Sequence, residues 1–206
     1  MPTLLKIDSS PMGDYSVSRQ LTRDFVESWT AANPAGVVIE RDLATSNLTP
    51  VTGALVQAAY TPEPDVTPQQ KQLLAVSNDL LAELFAADEL VVGVSMHNFG
   101  IPSTLKLWID LIVRKGKTFE YSETGAEGLV KGKKVTFLIA TGGHYGAGTP
   151  AAGYNYWEPY LKHIFGFMGM TDVSVITAGG TAALRGGIDR AEFLAPVEAE
   201  VRALFA

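Results

Sequence analysis

None of the 206 residues is cysteine. Disulfide frameworks, thiolate nucleophiles, CxxC redox pairs and cysteine-ligated zinc are excluded by that absence alone. Positive charge is scarce as well: 16 Lys and Arg stand against 22 Asp and Glu, giving a net charge of -6 without any basic block. Nucleic acids are held through clustered cations, so a nucleic-acid partner is excluded. Long hydrophobic runs are missing too. The most apolar stretch, LLAELFAADELVVGVSM, is cut by Glu83, Asp88 and Glu89, short of the about 20 residues a bilayer span needs. The opening segment MPTLLKIDSSPMG shows no basic leader, and the expectation is a soluble, cytoplasmic protein with no membrane partner. What remains, 47% hydrophobic and 18% charged residues, is an ordinary globular mixture. A chain of this length is expected to form one domain over 1–206, burying about 70% of its unfolded surface.

Short apolar runs bounded by turn residues predict buried strands over Thr3 to Asp8, Val37 to Arg41, Glu89 to Ser95, Lys134 to Ala140 and Asp172 to Thr177. Helical spacing lies between them. Val17, Leu21, Phe25 and Trp29 recur every four residues on one face. Thr67-Pro68-Gln69-Gln70 reads as an N-cap, a first-turn proline and a capping-box glutamine. The helix it opens carries Leu73, Leu74, Leu80, Leu81, Leu84 and Phe85. A further helix aligns Leu105, Trp108, Ile109 and Ile112, with Asp110 and Arg114 spaced for an i,i+4 ion pair. Asp189 with Glu192 opens a last helix ending near Phe205. Strand and helix in alternation, five times over, specify an α/β fold: a doubly wound five-stranded parallel sheet with helices on both faces. Two segments stand outside it. Residues 44–66 hold three prolines and predict a surface excursion, and residues 142–153 form a glycine-rich loop after the fourth strand.

In such sheets ligands bind beyond the carboxyl ends of the strands, where strand order reverses. After the first strand, Ser9-Ser10-Pro11-Met12-Gly13-Asp14-Tyr15-Ser16-Val17-Ser18 leads into a helix. Its free N–H groups and the hydroxyls of Ser10, Ser16 and Ser18 suit an anion. As turn and cap residues those serines would need no ligand. Neither GxGxxG nor GxxxxGK[ST] occurs here, which excludes a Rossmann-held dinucleotide and a P-loop nucleotide and leaves a phosphate monoester. After the third strand, Met96-His97-Asn98-Phe99 suits a flat, partly polar heterocycle, or is a plain turn. After the fourth, Ala140-Thr141-Gly142-Gly143 offers backbone that a planar ring can approach closely. The three histidines, His97, His144 and His163, lie in separate segments without metal-ligand spacing, so no metal site is expected. Tyr154, Tyr156, Trp157, Tyr160, Phe165 and Phe167 suit either a helix packing face or the edge of a site.

Together these three loops give the sequence its likeness. SSPMGDYSVS, the block MHNFGIPSTLKLWIDLIVRKGKTFEYSETGAEGLVKGKK and the Gly142-Gly143 turn resemble the FMN-dependent NADH:azoreductases, flavodoxin-like quinone reductases, essentially end to end. The resemblance implies that Ser10, Ser16, Val17 and Ser18 hold the FMN phosphate. It implies that Met96, His97, Asn98 and Phe99 line the isoalloxazine, with Ala140, Thr141, Gly142 and Gly143 at its pyrimidine end. A homodimer with flavin sites at the subunit interface is implied as well. Two departures accompany the match: the family pattern has Tyr where this chain has His97, and Ser-Arg where it has Ala140-Thr141. NADH as donor and azo compounds or quinones as acceptors follow from the same likeness. No dedicated acid–base side chain is expected; backbone N–H groups of the 96–99 and 141–143 loops would stabilise the flavin's negative charge, and Phe99 and Tyr121 are the candidates for stacking on substrate, Tyr121 suiting a half-buried surface position equally well. Three competing classes are weaker. A flavodoxin carrier shares fold and FMN but would not turn over NADH. An SGNH-type hydrolase needs a histidine near the C-terminus, and none follows His163. A receiver domain needs an aspartate where Ser95-Met96-His97 stands.

Overall fold

The structure, a computed structural model, describes residues 1–123 and 125–206. The chain opens with β1 (Thr3–Asp8), α1 (Val17–Ala32) and β2 (Val37–Asp42), then α2 (Gly53–Tyr60), α3 (Pro68–Ala86) and β3 (Glu89–Ser95). It continues through α4 (Ser103–Ile112), the short β4 (Phe119–Ser122) and β5 (Gly125–Gly128), and β6 (Lys134–Ala140). α5 (Trp157–Met168), β7 (Asp172–Ala178) and α6 (Arg190–Ala203) complete it. Five strands form one parallel sheet in the order β2-β1-β3-β6-β7, while β4 and β5 pair antiparallel on their own. All five predicted strands are present, with β2 and β7 each one residue longer at the end than their apolar runs. The crossover direction reverses between β1 and β3. Lys6, for instance, faces Glu40 on one side and Val91 on the other.

Alternation along each strand divides the core into two layers. Leu5, Ile7, Leu90, Val92, Phe137 and Ile139 point to the face covered by α3, α4 and α5. Leu4, Val91, Leu138 and Ile176 point to the face covered by α1 and α6. On the latter, Val17, Leu21, Phe25 and Trp29 are all buried, as their four-residue spacing predicts. Gly93 of β3 brings α1 close: a Cβ there would sit 2.9 Å from Thr22 Cγ2 and 3.2 Å from the Ser18 carbonyl oxygen.

The capping signals act as expected. Thr67 and Gln70 exchange both capping-box bonds ahead of α3, and Asp189 accepts from the Glu192 N–H at the start of α6. The structure refines three readings. Leu73 and Phe85 are exposed, because α3 buries only the narrower stripe of Leu74, Ser77, Leu80, Leu81 and Leu84. Asp110 pairs back to Lys106 (2.7 Å) rather than forward to Arg114, since α4 ends at Ile112 and Arg114 lies outside it. The 44–66 segment is not structureless: Thr52 caps α2 within it, accepting from the Leu55 N–H. The β4–β5 hairpin had no counterpart in the strand pattern.

Candidate active site

Ser9 fixes the start of the loop after β1: its Oγ donates to the Gly93 carbonyl (2.7 Å), and its own carbonyl accepts from Thr104 Oγ1 (3.2 Å). Ser10 is buried behind it, its Oγ accepting from the Met12 N–H at 3.4 Å. A 3-10 turn over Gly13–Tyr15 then delivers Ser16 to the N-cap of α1. Ser16 Oγ accepts from the Arg19 N–H (3.3 Å) and lies 3.2 Å from Ser18 Oγ. The first-turn N–H groups of Val17 and Ser18 find no acceptor among the described residues, so two hydroxyls and two amides gather at the positive end of a 16-residue helix. Arg19 braces the loop from behind. Its Nε donates to the Ser10 carbonyl (2.8 Å), and its two terminal nitrogens grip Asp42 at 2.9 and 2.5 Å. That pairing holds the Asp42 carboxyl below the usual carboxylate range and the guanidinium above its ordinary value.

Beyond β3 the chain makes a tight turn, His97 and Gly100 exchanging backbone hydrogen bonds of 3.0 and 2.9 Å. Asn98 and Phe99 occupy its two central positions at φ 49° and 64°. Asn is favoured at the first of these, but the second favours glycine, and a phenylalanine there stores about 1 kcal/mol or more of strain. The Asn98 and Phe99 N–H groups are left without a protein acceptor among the described residues. His97 Nε2 lies 3.3 Å from Ser95 Oγ. After β6, Thr141 is locked by its N–H to the Ala178 carbonyl (3.0 Å) and its Oγ1 to the Gly143 carbonyl (2.8 Å). The Gly142 and Gly143 N–H groups again have no protein acceptor among the described residues.

Aromatic rings wall the crevice. Phe99 lies against Tyr154 (centroids 5.4 Å apart) and Tyr145 (6.2 Å), and Tyr145 meets Trp157 edge-on at 5.3 Å. Beside them a cavity of about 610 Å³ is lined by His97, Ile101, Lys106, Tyr156, Trp157 and Tyr160. The Asp110 carboxylate raises the pKa of Lys106, and burial raises that of Tyr160.

The structure thus brings together the three loops singled out from sequence, with one refinement. The N–H groups of Met96, His97 and Thr141 are spent on Ala140, Gly100 and Ala178, so the available donors are those of Asn98, Phe99, Gly142 and Gly143. The predicted aromatic run divides: Trp157 and Phe165 are core, Tyr154 and Tyr156 face solvent by the crevice, and Phe167 packs on Phe119. Tyr121 is not brought to the crevice. It stands 61% exposed on β4, beside Phe119, in a hairpin seated on the C-terminal end of α5 through the Val130 N–H to the Met168 carbonyl. That helix runs away from the carboxyl ends of the strands. His144, packed over Gly179 and Gly180, and His163, on the outside of α5, join neither His97 nor each other. Sequence reasoning missed Arg19, whose role depends on a partner 23 residues away.

These residues fit a flavin mononucleotide: a hydroxyl-and-amide cradle for its phosphate, unpaired amides on two loops for the ring's polar edge, and aromatic walls. Residues 2–204 match the family of the flavodoxin-like fold. The chain is 53% identical to an FMN-dependent NADH:quinone oxidoreductase of Acidobacterium capsulatum, over 98% of both chains. It is 46% identical to FMN-dependent NADH:quinone oxidoreductase 3 of Burkholderia lata, over 98% of this chain and 99% of that one. Among solved structures, an FMN-dependent NADH-azoreductase of Bacillus anthracis in complex with FMN superposes with a TM-score of 0.87 at 27% identity, covering 100% of this chain and 98% of the other.

Proposed function

The chain belongs to the family of the flavodoxin-like fold, and on that premise we propose that it is an FMN-dependent NADH:quinone oxidoreductase that also reduces azo compounds. Its cofactor is FMN and its electron donor is NADH. FMN, when bound, would supply the two-electron redox chemistry that links NADH to the acceptor. The observation that carries this reading is the meeting, at the carboxyl ends of β1, β3 and β6, of a hydroxyl-lined helix N-terminus with two loops whose amides are unpaired.

In this reading Ser10, Ser16, Val17 and Ser18 hold the phosphate. Met96, His97, Asn98 and Phe99 line the ring on one side, and Ala140, Thr141, Gly142 and Gly143 close its polar edge. The four free amides are fixed before any ligand arrives, so they stabilise negative charge on the ring without reorganisation. Phe99 and its aromatic neighbours Tyr145 and Tyr154 would stack on planar partners, and donor and acceptor would take that position in turn. We also take residues 1–206 as one domain, and the protein as a homodimer. The exposed Met12, Tyr15, Phe99, Tyr154 and Tyr156 around the crevice support a second copy there. No helix among the described residues is long and apolar enough to cross a membrane, and an intracellular donor nucleotide favours the cytoplasm.

The test is the visible spectrum of the protein as purified, followed by steady-state kinetics. Flavin absorption and parallel double-reciprocal lines against NADH at several quinone concentrations are expected. Intersecting lines would overturn the shared face, and absence of both flavin and NADH consumption would overturn the function. Light scattering should give a dimer mass; a fully active monomer would refute that part.

A further inference from the structure

Away from the crevice, the segment joining α2 to α3 and the turn after α4 enclose a cavity of about 300 Å³. Lys71, Arg114, Lys115 and Lys117 line it against a single carboxylate, Glu63. In a chain of net charge -6 this is a local reversal of sign. Glu63 makes its direct ion pair with Lys117, at 2.8 Å, and acts on Arg114 and Lys71 only through longer-range attraction. Arg114 is the unusual member. It is 8% exposed, and its Nη1 donates to two neutral atoms, Ser77 Oγ (3.1 Å) and Asn78 Oδ1 (2.6 Å). Its Nε has no partner, and no carboxylate pairs with it among the described residues. Buried arginine is ordinarily paired with an anion; here burial pushes this guanidinium's pKa down, and the more distant Glu63 carboxylate offsets that only in part. Tying α3 to α4 would account for Ser77 and Asn78, but that task needs neither a full charge nor three lysines around it.

We propose that this cavity is an oxyanion site of the phosphate class, with Arg114 at its buried wall and Lys71 and Lys117 at its mouth. Four cations less one carboxylate leave three positive charges, which a multiply charged anion matches better than a lone carboxylate. A guanidinium fork with lysine point charges is also the usual protein complement of phosphate oxygens. The volume suits an inorganic phosphate or pyrophosphate and is too small for a whole dinucleotide. The ligand is therefore either a free phosphate compound or the pyrophosphate part of the nucleotide donor reaching in from outside. The site shares no residue with the FMN cradle and does not depend on the reading of that cradle.

Isothermal titration of the FMN-saturated protein with inorganic pyrophosphate at low ionic strength tests the proposal by heat alone, without turnover. One saturable event per chain is expected. The double variant Lys71→Met/Lys117→Met should weaken it at least tenfold while keeping FMN content and the unfolding midpoint. Arg114→Lys, which keeps the charge and loses the fork, should weaken it as well; if that variant does not fold, the lysine pair still decides. Competition of pyrophosphate with NADH, with a raised KM for NADH and unchanged kcat in the double variant, would assign the anion to the donor. An unchanged KM would assign it to a free phosphate compound, and either result sustains the site. No saturable heat, or equal binding by the parent and the double variant, would overturn it.

Discussion

Replacing Arg19 with methionine tests whether the brace behind the first loop governs both stability and flavin affinity. The side chain makes three donor contacts, two to Asp42 and one to the Ser10 carbonyl, and lies 3.7 Å from the Asp8 carboxylate. Methionine keeps the apolar stem and removes only the charge and the fork. Asp42 has a side chain 36% exposed, so water recovers much of its loss, and its share is about 1 kcal/mol or less. The bond to the Ser10 carbonyl is charge-assisted and behind a buried residue, worth about 1.5–3 kcal/mol. Asp8 retains Lys6 at 3.2 Å and the Thr22 hydroxyl at 2.7 Å, so little is added there. Urea unfolding of the FMN-free protein should therefore show a loss of about 3 kcal/mol with an unchanged m-value. Because Ser10 belongs to the proposed cradle, re-ordering its loop should also cost FMN about tenfold in affinity by fluorescence titration, equivalent to roughly 1.4 kcal/mol. Asp42→Asn, which leaves the Ser10 contact intact, should do neither on that scale. If Arg19→Met is no worse than Asp42→Asn in stability, or if it loses stability with FMN affinity untouched, the bracing role is wrong.

Ser16→Ala with Ser18→Ala should lower FMN affinity more than tenfold and leave riboflavin, which has no phosphate, nearly unchanged; equal losses would remove the phosphate assignment. Phe99→Ala should raise the KM for quinone with FMN retained, and loss of FMN with unaltered acceptor constants would show that the ring serves the cofactor instead. The Asp42 carboxyl is held below its ordinary value by Arg19, so its contribution is complete above the unfolded pKa of about 3.9 and is lost as pH falls through the lower folded value. Parent protein should accordingly lose more stability than Asp42→Asn between about pH 4 and pH 2.5; identical slopes would show that the pair contributes nothing.

Elements that bury a continuous apolar run or a regular stripe were legible from sequence, because burial writes itself into residue type. The five sheet strands and α1, α3, α4 and α6 belong to that group. α2 and the β4–β5 hairpin do not. α2 buries only Ala58, so no apolar stripe marks it. Among the described residues of the hairpin only Phe119 is buried, while Glu120, Tyr121 and Ser122 face solvent. The Asp110–Arg114 spacing misled for a related reason: an i,i+4 pair requires both residues on one helix, and the chain leaves α4 between them. Once outside, Arg114 folds back to α3 across 36 residues to reach Asn78, a contact no local window contains.

The site shows the same division at finer scale. Which loops converge follows from topology and needed only the strand order. Which amides are free depends on bonds closed across the crevice, such as the Met96 N–H to the Ala140 carbonyl and the Thr141 N–H to the Ala178 carbonyl, and these appear only in the folded chain. Tyr121 carries the consequence furthest. Sequence places it with Phe99 as a ring able to stack on substrate, yet its hairpin is anchored at the end of α5 remote from the crevice. Within one chain Tyr121 does not line the cavity beside the Phe99 turn. A stacking role for Tyr121 would call for the crevice of a second copy, so that under the proposed dimer the two become one requirement rather than two.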